Sequence, residues 1–174
     1  MTAQSEVSRP AIAETDASAT AIYVEGLIAG VAGAATIAVW FLLMDTLFRR
    51  PFYTPMILGV ALFQGGAGLA PPDTMAISSE TVLSFTWVHV LAFLVIGIAA
   101  SRLIALAERQ PSFGFGILLF LVFFECGFFV ACMAFAEPVL HTLAWSEILL
   151  GNVLAAAAMG AVFWRRHPRL VIRP

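Results

Sequence analysis

The sequence predicts an all-α polytopic membrane protein: a four-transmembrane-helix up-down bundle with an extra short interfacial or re-entrant helix after the first span. Three observations carry that expectation. Four apolar runs, at residues 26–48, 82–105, 113–136 and 143–164, are each as long as the ~20 residues that a helix needs to cross ~30 Å of hydrocarbon. Hydrophobic residues make up 61% of the chain and charged residues 11%, against about 25% charged in ordinary soluble domains. At 174 residues there is room for one such bundle and no second folded unit.

Residues 1–24 are rich in Ala, Ser, Thr and Glu and hold no apolar core of the signal-peptide kind. They are expected to form a flexible tail, with the first span retained in the mature protein. Span 1 opens with Gly26, Gly30 and Gly33. Side chains four apart share a helix face, and small ones let backbones approach closely, which drives association in lipid. The stripe is therefore a packing face, toward another span of this chain or toward another subunit. At the far end of the span, Asp45 and Arg49 are four apart and can pair.

Residues 49–80 form a long connection. Thr54-Pro55 is a good helix start, a capping hydroxyl followed by proline in the first turn. The apolar segment that follows, to about residue 64, covers only half of a bilayer core and stops at Gly65, Gly66 and Gly68. It is expected to lie at the membrane interface or re-enter it.

Span 2 carries Trp87 and His89 near its start and the small pair Gly97 and Ser101 in its second half. Span 3 is dense in phenylalanine, with Glu125 at its centre. Its two cysteines, Cys126 and Cys132, are six apart on a helix and point away from each other, so they cannot bridge. Span 4 holds His141 and Trp145 at its entry, then Glu147, and a small or polar stripe of Asn152, Ala156 and Gly160. Residues 166–174 form a basic C-terminal tail.

The arginines set an orientation. Arg9, Arg102, Arg109, Arg165, Arg166, Arg169 and Arg173 share one side of an even-span topology, against Arg49 and Arg50 on the other. The positive-inside rule then places both termini in the cytoplasm, as in a bacterial-type inner or plasma membrane.

The intramembrane polar residues are the candidate functional groups. A charge at mid-span is unfavourable by about 3 kcal/mol on insertion scales, while each Leu, Ile, Phe or Val contributes roughly 0.3–0.6 in the other direction. Fourteen such residues let span 3 insert in spite of Glu125. Counted from the turn between spans 3 and 4, Glu125 and Asn152 lie at the same depth, so a contact between them is expected. It would be a structural hydrogen bond or a protonatable relay. Asp45, His89, Glu137, His141 and Glu147 all fall near the outer ends of the spans and share one layer. Whether they converge on one pocket depends on helix rotation, which sequence does not give.

No catalytic or metal set is predicted. There is no GxSxG, P-loop, HExxH or CxxC pattern. A net charge of −2 with no basic surface gives no reason to expect nucleic acid. No cofactor is predicted either; haem held by His89 and His141, or a quinone, is the alternative use of the outer layer. The expected partners are lipids and other membrane subunits or a second copy of the chain. The leading reading is a non-catalytic accessory or assembly subunit of a larger membrane complex. A proton-handling transporter using Glu125 and an electron-transfer protein using the histidines are the alternatives.

Overall fold

The computed structural model describes residues 8–71, 74–109 and 145–167, with isolated helical positions between residues 116 and 130. Four helices are defined: α1 (Ser8–Leu47), α2 (Tyr53–Gln64), α3 (Ser79–Arg109) and α4 (Trp145–Arg166). No strand occurs among the described residues. Three stretches are long and apolar enough to cross a membrane: Thr20–Leu47, Ser79–Glu108 and Ser146–Arg166. They match the expected spans 1, 2 and 4. Span 3 lies outside the described residues except for the isolated positions. Helix α1 starts at Ser8, within the stretch expected as a tail.

The exterior is as apolar as the sequence implies. Val39, Leu47, Trp87, Val95 and Trp164 are each more than 60% exposed. Large apolar side chains spread along all three long helices in this way suit surroundings of acyl chains or other helices.

Helix α1 is the hub, packing along α3 on one side and α4 on the other, while α2 sits mainly against α3. The α1–α3 seam is a backbone contact. A Cβ added at Gly97 would overlap the carbonyl oxygen of Gly26 and come within 2.7 Å of the Gly30 amide nitrogen. One added at Gly30 would lie 2.5 Å from the Phe93 carbonyl oxygen. The glycine stripe of span 1 therefore packs against another span of the same chain. Ser101 extends the seam by donating a hydrogen bond to the Ile22 carbonyl at 2.8 Å.

The α1–α4 seam is built from side chains. Ala29, Ala34, Ile37, Phe93, Ala155, Met159 and Phe163 form one apolar core, and Gly33 faces Phe93 and Met159. Near the start of α4, Trp40 covers Gly151 and donates its indole N–H to the Glu147 carbonyl at 2.9 Å. The buried stripe of α4 is thus Ile148, Gly151, Ala155, Met159 and Phe163. Of the expected stripe, Asn152 and Ala156 are half-buried beside this face and Gly160 is exposed among the described residues; the span expected to cover them lies outside the described residues.

Contacts at both ends fix the directions. Helix α1 runs from the Glu25 end to the Asp45 end, and α3 and α4 both run back. Helices α3 and α4 are therefore parallel to each other.

Candidate functional site

Two regions gather polar side chains, one at each end of the long helices. The first begins where α1 stops. Arg49 takes a left-handed backbone (φ 58°), its amide bonds the Thr46 carbonyl, and the Arg50 amide bonds the Asp45 carbonyl at 2.8 Å. This is a Schellman-type helix end with arginine where glycine is usual. Phe52 is also left-handed (φ 64°), and it is the N-cap of α2 without any capping side chain of its own. Each such residue carries strain of roughly 1–3 kcal/mol unless its surroundings hold it.

Asp45 supplies the hold. Its side chain is 1% exposed, and its two oxygens accept the Thr54 backbone N–H and the Thr54 hydroxyl, both at 2.7 Å. The carboxylate thus caps α2 from the preceding helix, next to the positive end of that helix's dipole. Two expectations are corrected here. Asp45 does not pair with Arg49, which has left the helix and is exposed. Thr54 is not the cap; the helix starts two residues earlier than that cap would give, and the Thr54 hydroxyl serves as a donor to the true capping group. Arg50 instead lies over the rings of Phe48 (5.3 Å) and Tyr53 (4.9 Å). Burial pushes the Tyr53 phenol up; Arg50 opposes this and the Asp45 charge adds to it.

His89 lies on the facing side of α3. Its Nε2 is 3.2 Å from the Ala34 carbonyl oxygen, and its ring sits between Phe85 and Phe93, with centroids at 6.0 and 4.9 Å. A carbonyl only accepts, so Nε2 carries a proton and donates, and Nδ1 of the neutral ring is an acceptor.

Asp45, His89 and Asn152 all line one cavity of about 370 Å³ between α1, α2, α3 and α4. Apart from these and Thr54 and Thr86, the described residues of its wall are apolar. Of the expected outer layer, Asp45 and His89 both line this cavity, joined by Asn152, but at different depths: His89 is level with Ala34, well before Asp45 along α1. The Glu147 side chain is not in the cavity wall; its backbone carbonyl is the Trp40 acceptor. Glu125, Glu137 and His141, and with them the expected Glu125–Asn152 contact, lie outside the described residues. A wider, open groove of about 740 Å³ runs between α2 and residues 68–84, lined by Gln64, Ser78 and Glu80 among others.

The second region is at the opposite end. His167 follows α4, and its Nδ1 is 2.6 Å from Glu108 of α3 while its Nε2 is 2.9 Å from Glu25 of α1. Carboxylates accept only, so both ring nitrogens donate and the ring is an imidazolium. Burial alone would lower the His167 pKa, but the hydrogen bonds and charges of Glu25 and Glu108 outweigh it and raise it. Beside this clasp, Arg102 lies over the Tyr23 ring at 4.6 Å and bonds its hydroxyl. No local pattern marks His167 as a site residue, because its partners are 59 and 142 residues away. The described residues include no group of three or more His, Cys, Asp or Glu side chains suited to a metal ion. Set against known protein families, curated proteins and solved structures, the chain matches none.

Proposed function

We propose that this protein is a non-catalytic accessory or assembly subunit of a larger complex in a bacterial-type inner membrane, with both termini in the cytoplasm. One observation carries the reading: among the described residues, the enclosed ionisable groups Asp45, His89 and His167 join helices. Asp45 ties α1 to α2, His89 ties α3 to α1, and His167 ties the end of α4 to α1 and α3. Groups engaged in this way make a rigid scaffold, whose outer apolar side chains are then covered by lipid and neighbouring subunits. The orientation rests on arginine: Arg102, Arg165 and Arg166 belong to the Glu25 end, and Arg49 and Arg50 to the other.

Native mass spectrometry after mild detergent extraction from the source membrane tests the proposal. The expected result is a complex containing this chain and at least one different membrane protein. A chain that emerges alone, or only with copies of itself, overturns it.

A further inference from the structure

The cavity at the Asp45 end has a chemistry that the scaffold reading does not use. We propose that it binds a quinol-type molecule: a flat ring carrying a hydroxyl, with an apolar tail. Its volume of about 370 Å³ falls within the roughly 300–1,000 Å³ of small-molecule sites, which are mostly apolar with a few convergent polar groups. Four phenylalanines line it, Phe41, Phe52, Phe85 and Phe93, which favours a planar ring packed edge-on or offset against them.

The polar groups select the head. His89 has its Nε2–H engaged by the Ala34 carbonyl, so Nδ1 is the atom left to receive a hydrogen bond, and it receives a hydroxyl rather than a carbonyl. Asp45 belongs to the same wall but is enclosed, with both oxygens already bonded to Thr54, so the selection falls to His89. The wall thus favours a donor. Among its described residues are an acid and no arginine, which disfavours the phosphate of a lipid headgroup. Ala38 and Leu42 of α1 and Thr86 and Ala92 of α3 line the cavity and are exposed, so its mouth opens between two helices apolar enough to face lipid. A ligand dissolved in the bilayer can enter there.

The test uses the full chain in detergent under anaerobic conditions, with equilibrium dialysis of a decyl-substituted benzoquinol. One molecule should bind per chain, saturably. The oxidised benzoquinone, which offers only acceptors, should bind about tenfold more weakly, as expected for one hydrogen bond lost to a buried acceptor. Ala92→Phe, which fills the mouth, should abolish binding of both forms while the melting temperature is retained. His89→Phe should remove the preference between them. An anionic phospholipid should not compete. Absence of saturable binding, equal affinity for quinol and quinone, wild-type binding by Ala92→Phe, or displacement by phospholipid each overturns the proposal. None of these outcomes bears on whether the chain belongs to a larger complex.

Discussion

The two ends of the bundle hold their carboxylates in opposite ways. At one end Asp45 is fully enclosed and satisfied by neutral donors of a residue nine positions away. At the other, Glu25 and Glu108 share an imidazolium, and the side chains involved range from 8% to 43% exposed. The difference is one of range. The Asp45 lock closes a single helix–turn–helix and needs only α1 and α2 to form. The His167 clasp joins three elements from across the chain and forms only when the whole bundle is in register. The first is local architecture; the second reports on assembly.

The strongest way to break that contrast is to wedge the seam between the ends. Gly97→Leu drives a side chain into the backbone of Gly26 and Gly30, which cannot move aside as a side chain could. The expected loss is about 3 kcal/mol, the upper part of the overpacking range. Denaturant titration in detergent measures it. Hydrogen exchange should find the Thr54 amide still protected, while the His167 ring resonances lose their bonded signature. Loss of both together would show that the Asp45 lock is not local.

A smaller effect isolates the lock. Asp45→Ala leaves the buried Thr54 N–H and hydroxyl without their acceptor and lets the left-handed Arg49 and Phe52 relax. A loss of about 2 kcal/mol follows from one charged hydrogen-bond acceptor and one helix cap. Asp45→Asn, which keeps an acceptor oxygen, should lose about half as much. Thermal melts that do not separate Ala from wild type would remove Asp45 as the turn's anchor.

The smallest effect belongs to the clasp, and it carries a sign in pH. The folded pKa of His167 is raised above the ordinary value of 6.5. The unfolded chain therefore releases this proton at lower pH than the folded one. The stabilisation is complete below about pH 6.5 and is lost as pH rises through the folded pKa. Solvent screening at the exposed Glu108 holds it to at most about 1 kcal/mol. Melts from pH 5 to 9 should show this decline in wild type and not in His167→Gln. An identical profile in both would mean that the clasp adds nothing to stability.

Much of the fold was legible in the sequence. Spans 2 and 4 and the short helix fall within a few residues of their hydropathy boundaries, since length and apolarity are properties of contiguous residues, while α1 starts at Ser8, well before the expected span at residue 26. Gly26, Gly30, Gly33 and Gly97 announced a close seam, because a row of missing side chains has few other uses in an apolar helix. Ser78 was less visible as the cap of α3, where its hydroxyl accepts the Thr81 amide at 3.3 Å. Trp40 gave no signal of its role either, since its acceptor is a backbone carbonyl on another helix.

Sequence by itself determined where the described apolar spans and the short helix lie and that the spans are apolar enough for lipid. Tertiary structure alone decided how far each helix is turned about its own axis. The rotation of α4 that its contacts with α1 require buries Gly151, Ala155 and Met159 and leaves Asn152 and Ala156 half-buried beside them. That rotation follows from where the Gly97 backbone meets Gly26 and Gly30, and from the meeting of Trp40 with Gly151. It puts Asp45, His89 and Asn152 around one cavity and brings Glu25, Glu108 and His167 into one clasp, because contact between helices, unlike helix formation, depends on residues far apart in the chain.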